Sequence, residues 1–295
     1  MGSNQRKIWL IAGPTASGKS ALALDLADEH GAVIVNADSM QVYAQLRLIT
    51  ARPSQRDEAL ATHLLYGNVD PAKAYSTAKW TAAVQASMAD LPPEQPLIFV
   101  GGTGLYFKAL LAGISQMPTV PDAVRERWRY RLSEDGASKL HRLLRAQDPN
   151  VALRIKPNDG QRIVRALEVL EATGKPLTFW QGNRRPVLRD GDEVDKIVIM
   201  PDKDITRARI KVRFEEILRG GGVEEVELLL QRELDPSLPA MKAIGVDVCR
   251  ALIEGRIDFE TALERGTTET AQYAKRQRTW FRNQFDEKWR CVEPN

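Results

Sequence analysis

Lys7-Ile8-Trp9-Leu10-Ile11-Ala12-Gly13-Pro14-Thr15-Ala16-Ser17-Gly18-Lys19-Ser20-Ala21-Leu22-Ala23-Leu24 runs from an apolar strand through a glycine-framed loop into a helix. Gly13, four residues, then Gly18, Lys19 and Ser20 have the spacing of a phosphate loop. The two glycines let the backbone of Pro14, Thr15, Ala16 and Ser17 turn so that N–H groups converge on phosphate oxygens. The helix start adds the positive end of its dipole, Lys19 a mobile cation, and Ser20 a hydroxyl suited to Mg²⁺. An ordinary glycine turn is the alternative, and the complete pattern in its strand–loop–helix setting argues against it.

Ala32-Val33-Ile34-Val35-Asn36-Ala37-Asp38, Pro96-Leu97-Ile98-Phe99-Val100 and Lys196-Ile197-Val198-Ile199-Met200 are further apolar runs separated by helical stretches. Continuous apolar runs alternating with helices predict a P-loop NTPase-like α/β fold, a mostly parallel sheet flanked by helices. Ligands of such sheets lie beyond the carboxyl ends of the strands. Asp38, the turn Gly101-Gly102-Thr103-Gly104 and the helix after Pro201-Asp202 should therefore face the phosphate loop. Residues 116–195 are arginine-rich with apolar residues at helical spacing, which predicts an all-helical insertion between two parts of the core, 1–115 and 196–295. A last long helix is expected from about Thr267 to Phe285.

Asp38 has three readings: a Mg²⁺ ligand, a general base beside the phosphates, or a cap. Thr103 can offer a hydroxyl without adding charge. Arg209 and Arg213, four residues apart, share a helix face and form either a clamp for diphosphate oxygens or a solvated surface. His63 stands alone, satisfied by ordinary hydrogen bonds unless a ligand lies nearby. Arg125, Arg127, Arg129 and Arg131 surround Trp128 and Tyr130, and Lys275-Arg276-Gln277-Arg278-Thr279-Trp280-Phe281-Arg282 repeats the mixture. Cations among aromatics suit looped RNA, through phosphate neutralisation and base stacking, and equally suit amphipathic helices with solvated arginines.

The chain has 295 residues, with 42 Lys and Arg against 39 Asp and Glu, so a net charge of +3 does not by itself announce a nucleic-acid binder. Two cysteines, Cys249 and Cys291, make neither a disulfide framework nor a zinc site. No apolar run approaches a bilayer span, and residues 1–5 are short and polar, so no membrane association and a cytoplasmic location are expected.

Five stretches carry a resemblance: Gly-Pro-Thr-Ala-Ser-Gly-Lys-Ser at 13 to 20, Asp-Ser-Met-Gln-Val-Tyr at 38 to 43, Gly-Gly-Thr-Gly-Leu-Tyr at 101 to 106, Pro-Asn-Asp-Gly-Gln-Arg at 157 to 162 and Ala-Lys-Arg-Gln-Arg-Thr-Trp-Phe-Arg at 274 to 282. In that order, over nearly the whole chain, they resemble the bacterial tRNA dimethylallyltransferases. The resemblance implies transfer of a dimethylallyl group from dimethylallyl diphosphate to the exocyclic N6 amine of the adenosine just 3′ of the anticodon, with Mg²⁺ assisting. It makes residues 13–20 the diphosphate cradle, Asp38 the base, and Thr103, Arg213 and Lys19 its catalytic companions. His63 and Arg209 support the site. Contacts to the tRNA anticodon arm are implied for Asp38, Ser39, Met40, Gln41, Thr103, Arg125, Gln161, Arg162, Ile163, Val164, Arg165, Lys275, Arg276, Arg278 and Arg282, and a monomer is expected. The chain departs from the family pattern at Ile49-Thr50-Ala51-Arg52-Pro53, around His63, and at Val246.

Overall fold

The computed structural model describes residues 5–115, 117–182 and 184–293. Gln116, the expected start of the insertion, lies outside them, as do residues 1–4 of the polar N-terminal stretch. The elements in chain order begin with β1 (Lys7–Ala12), α1 (Lys19–His30), β2 (Val33–Asn36), α2 (Gln55–Leu60), β3 (His63–Leu64), α3 (Thr77–Asp90), β4 (Leu97–Gly101) and α4 (Gly104–Ala112). Next come β5 (Ile114–Ser115), α5 (Asp122–Gln147), α6 (Pro149–Ala152), α7 (Gly160–Thr173), α8 (Leu177–Trp180) and β6 (Arg184–Arg185). The chain ends with β7 (Glu193–Ile199), α9 (Lys203–Arg219), α10 (Gly222–Leu230), α11 (Val246–Ile253), α12 (Phe259–Gln284) and β8 (Arg290–Val292).

The main sheet has the order β3-β2-β4-β1-β7-β8, and every pairing in it is parallel. Alternation along β1 explains its continuous apolar sequence. Ile8 and Leu10 pack on one face with Trp80, Phe99 and Phe107, while Trp9 and Ile11 pack on the other with Ala23, Ala27 and Ile98. Both faces are covered, so each strand position is worth burying; a fully buried side chain of this size contributes about 1.5–3 kcal/mol. The two edge strands, β3 and β8, are short pieces that no apolar run announced.

A further core lies under the segment after β2, where Val42, Tyr43 and Leu46 meet Phe214 and Leu218 of α9, Val226 of α10 and Val248 of α11. Ile49 is buried here, and an added Cβ on Gly245 would lie 2.9 Å from its Cδ1. The departure at Ile49 is thus absorbed by packing.

The chain divides into two compact units, residues 1–111 with 187–295, and residues 112–186. Among its described residues the second is helical apart from loops and a two-residue antiparallel ladder of β5 and β6 that joins its ends, so the insertion is not all-helical. Helix α5 is broken at Gly136, which has φ 74° and ψ 160°. Its core holds Trp128, Leu140 and Leu144 against Val151, Ile163, Val164 and Leu167. In the first unit β7 starts at Glu193, before the expected Lys196. Helix α12 starts at Phe259 rather than near Thr267, with the Asp258 side chain accepting from Thr261 N at 2.8 Å as its cap. Gly266 obscured that start, because glycine usually ends helices. Here it permits close helix crossing: a Cβ at Gly266 would lie 2.0 Å from the Phe214 ring of α9.

Candidate active site at the carboxyl ends of the strands

Strand β1 delivers the loop Gly13 to Gly18 directly to the start of α1. Gly18 takes a left-handed conformation, φ 87°, and its place ahead of α1 carries no side-chain cap, so the first amides of the helix stay open to an anion. Gly13 is required by close approach: an added Cβ would sit 2.6 Å from Ser17 Oγ and 2.9 Å from the Ile199 carbonyl. Ser17 is fully buried and its hydroxyl has no partner among the described residues, a polar atom left over in the cradle. Ser20 is exposed in the first turn of α1.

Asp38 follows β2, one residue beyond the buried Ala37. Its Oδ1 accepts from Met40 N at 2.9 Å, closing a local turn, and Oδ2 lies 3.2 Å from where a Cβ on Gly102 would be. The fully buried Asn36 fixes this carboxylate from behind. Its Oδ1 accepts from Asp38 N at 2.8 Å, and its Nδ2 donates to the carbonyls of Asp38 and Leu65 at 2.9 and 3.0 Å. Trp80 Nε1 in turn donates to the Asn36 carbonyl at 2.9 Å. Thr103 Oγ1 accepts from Ser39 N at 2.9 Å and donates to Ser39 Oγ at 3.2 Å, while Thr103 N donates to the Ala37 carbonyl. The turns after β2 and β4 are thereby one hydrogen-bonded unit. Asn36 escaped the sequence reading, although a lone amide in the run Val-Ile-Val-Asn was the available signal.

Arg213, half-buried on α9, places Nη1 3.4 Å from Thr15 Oγ1. Arg209 lies one helical turn earlier on the same helix, also half-buried. Lys19 Nζ donates to the Pro14 carbonyl at 3.1 Å, so the amine points inward although the residue keeps some exposed surface. Burial lowers the Lys19 ammonium to about 8, with the negative charge of Asp38 opposing the fall and the positive charge of Arg213 adding to it. These three charges share one electrostatic environment. Burial also raises the hydroxyls of Tyr66, Tyr106 and Tyr273, with the field of Asp38 contributing to each, and all three stay protonated.

Gln277 of α12, 6 % exposed, spans this environment. Its Oε1 accepts from Thr15 N at 3.0 Å and its Nε2 donates to the Gly102 carbonyl at 2.9 Å. Nothing in the cation-rich stretch around it distinguished this glutamine from a solvated one. His63 Nδ1 is 2.8 Å from the Ala61 carbonyl, and the ring borders a cavity of about 80 Å³ together with Ser20, Arg52, Asp57 and Tyr66. Gln41 does not follow Asp38 along a helix, because the chain bends at 39–40, turns at 41–42 and bridges to Val69 at Tyr43. Its Nε2 donates to the carbonyls of Thr50 and Ala51 at 3.0 and 2.8 Å.

Of the two readings open for the stretches that mix cations and aromatics, different residues follow different ones. Trp128 is a core residue whose Nε1 donates to Glu171 at 2.7 Å, and Phe281 is buried. Tyr130 is exposed. Trp280 is half-buried and borders a shallow groove of about 360 Å³ with Lys275, Arg276 and Thr279. Arg276 and Arg282 are exposed, whereas Arg278 turns inward and donates to the Pro201 carbonyl. In the second unit Arg125 pairs with Asp122 at 3.5 Å and Arg162 with Asp159 at 3.3 Å. Ile163 and Val164 are buried, so side-chain contacts from that segment fall to Gln161, Arg162 and Arg165.

Residues 41–284 match the family model described as IPP transferase. Over 281 residues the chain is 55% identical to a tRNA dimethylallyltransferase of Chelativorans sp. (strain BNC1), covering 95% of this chain and 96% of the relative. It is 52% identical over 285 residues to the tRNA dimethylallyltransferase of Rhizobium meliloti (strain 1021), covering 96% and 94%. Among solved structures, the full-length tRNA isopentenylpyrophosphate transferase of Bacillus halodurans is similar with a TM-score of 0.68 and 26% identity, covering 98% of this chain and 90% of that one. A eukaryotic dimethylallyltransferase acting on tRNA is similar with a TM-score of 0.75 and 25% identity, covering 94% and 70%.

The depressed Lys19 gives the cradle a proton signature. With the amine lowered by burial to about 8, an anion seated beside it should draw a proton onto it, so binding of a diphosphate here should take up protons and weaken as pH rises above about 8. Titration of an alkyl diphosphate at pH 9, in two buffers of different ionisation enthalpy, should show most of one proton taken up by the wild type beyond any taken up by Lys19→Met. Equal uptake in both would remove Lys19 from the cradle.

Proposed function

The chain belongs to the IPP transferase family, and we propose that it transfers the dimethylallyl group of dimethylallyl diphosphate to the exocyclic N6 amine of the adenosine 3′-adjacent to the anticodon of tRNA. The observation that carries this reading is that Lys19 Nζ and Arg213 Nη1 both meet the phosphate loop, at the Pro14 carbonyl and Thr15 Oγ1, with the charge of Asp38 acting on both. Loop amides, Lys19 and Arg213 would neutralise the diphosphate as the allylic C–O bond breaks, and a cradle aimed at developing charge is the larger part of such catalysis. The amine nitrogen forms the new C–N bond and gives up one proton, for which the second oxygen of Asp38 is free of hydrogen-bond partners among the described residues. Diphosphate leaves with both electrons of the broken bond. Thr103 is engaged with Ser39, its Oγ1 accepting from Ser39 N and donating to Ser39 Oγ, and so steadies the turn that carries Asp38 without adding charge. No covalent nucleophile is needed.

The donor set fits Mg²⁺. An exposed serine hydroxyl at the start of α1, together with diphosphate oxygens, suits a hard cation that keeps most of its waters. The bound ion supplies further positive charge to the leaving diphosphate. Lys275, Arg276 and Arg282 of the first unit, and Gln161, Arg162 and Arg165 of the second, are the side chains we assign to the anticodon arm. The enzyme is taken to act as a cytoplasmic monomer, where tRNA is available. No helix among the described residues is long and apolar enough to cross a membrane.

Asp38→Asn keeps the turn to Met40 but cannot accept the proton, so single-turnover transfer should fall on the order of a hundredfold or more, with tRNA affinity changing far less. Restoration of the rate by raised Mg²⁺ would instead make Asp38 a metal ligand. Neutralising Lys275, Arg276 and Arg282 should reduce the log–log salt slope of tRNA binding by about one for each phosphate that is no longer neutralised, and Arg278→Gln, already tied to Pro201, should leave the slope unchanged. An unaltered slope in the triple variant would make that face merely solvated.

A further inference from the structure

Gln277 is a neutral side chain buried in the middle of a cationic stretch, and its two hydrogen bonds run to segments far away in sequence. The Thr15 amide can only donate and the Gly102 carbonyl can only accept, so the pair fixes both ends of the side-chain amide. Fit is tight on the Gly102 side, where an added Cβ would lie 2.0 Å from Gln277 Nε2 and 3.2 Å from Asp38 Oδ2. The amide of Gln277 and the free oxygen of Asp38 therefore flank one backbone point. Neighbouring residues hold the helix in place. Arg278 donates to the Pro201 carbonyl at the end of β7, and the Trp280 ring covers Gly104, whose Cβ would meet it at 2.0 Å. Glutamate would lose the donor to Gly102 and set a negative charge beside the diphosphate. Asparagine would fall short by one methylene.

We propose that Gln277 is a positioning residue for the transfer: it ties the phosphate loop to the turn carrying Thr103, and so holds the leaving group at a fixed distance from Asp38. The proposal rests on the transfer reading above. It also commits the Thr15 N–H to the protein, which leaves the diphosphate to the amides from Ala16 onward. Because the same helix presents Lys275 and Arg276 to solvent, its inner face sets geometry while its outer face meets the acceptor.

The test uses the full-length protein with Gln277→Met, which keeps length and volume without hydrogen bonds, and Gln277→Glu, which keeps only the acceptor. At saturating donor and tRNA both should lose roughly tenfold or more in single-turnover rate, since small displacements between reacting groups can cost that much. The dissociation constant for tRNA should stay within about twofold, separating positioning from acceptor binding. A wild-type rate in either variant overturns the proposal, as does a rise in the tRNA dissociation constant that matches the loss of rate. Should Gln277→Met melt far below the wild type, Gln277→Leu, which also lacks both hydrogen bonds and adds no charge, decides by the same criteria. Binding of inorganic diphosphate, followed by calorimetry without tRNA, keeps the proposal separate from the transfer reading. If the wild type fails to modify tRNA, weaker diphosphate binding by Gln277→Met still supports the tie, and unchanged binding overturns it.

Discussion

Two strand ends approach each other so closely that no side chain fits between them, and the site depends on that approach. A Cβ on Gly101 would lie 2.1 Å from the carbonyl of Ala37, and one on Gly102 would run into Gln277. With side chains excluded, backbone groups of the two turns reach each other. Thr103 N bonds to Ala37 O, Ala37 N to Val100 O, and Ser39 N to Thr103 Oγ1. Asp38 and Thr103 are consequently set by the sheet rather than by a mobile loop, the arrangement that holds reacting groups most closely.

The charges around this frame fall into an inner and an outer set. Lys19, Arg213 and Asp38 act on one another's charges in a setting where burial shifts Lys19 downward to about 8. The outer cations of α12 remain in water, where screening limits them to attraction and orientation. Helix α12 serves both sets. Its register puts Gln277 and Phe281 inward, four residues apart, while Lys275, Arg276 and Arg282 stay outside.

Much of this was legible in the sequence for a physical reason. Strands covered on both faces read as continuous apolar runs, and a phosphate loop needs glycine, lysine and serine at fixed spacing, so β1, β2, β4 and the loop between β1 and α1 were plain. Asp202 as the cap of α9 and Gly31 as the end of α1 were equally readable, since both are local. Long-range roles were not. β3 and β8 are too short to carry a period, Gly266 hid the first turns of α12, and sequence left Trp128 open between base stacking and the buried face of an amphipathic helix, where it lies. Asn36 and Gln277 are ordinary amides in sequence, and only tertiary contacts reveal that each braces the site. Likewise, Arg278 is the same residue type as Arg276, and its inward turn is decided by the nearby Pro201 carbonyl.

On the proposed function, this crevice moves a five-carbon group from a diphosphate onto an adenosine amine held within tRNA. Incubation of the protein with dimethylallyl diphosphate, Mg²⁺ and tRNA lacking the modification, followed by nuclease mapping and mass spectrometry of nucleosides, examines that transfer itself. The expected product is an N6-dimethylallyl adenosine at the nucleotide 3′-adjacent to the anticodon, with one diphosphate released for each group transferred. Absence of any prenylated nucleoside, or prenylation of free adenosine monophosphate as readily as of tRNA, would contradict it.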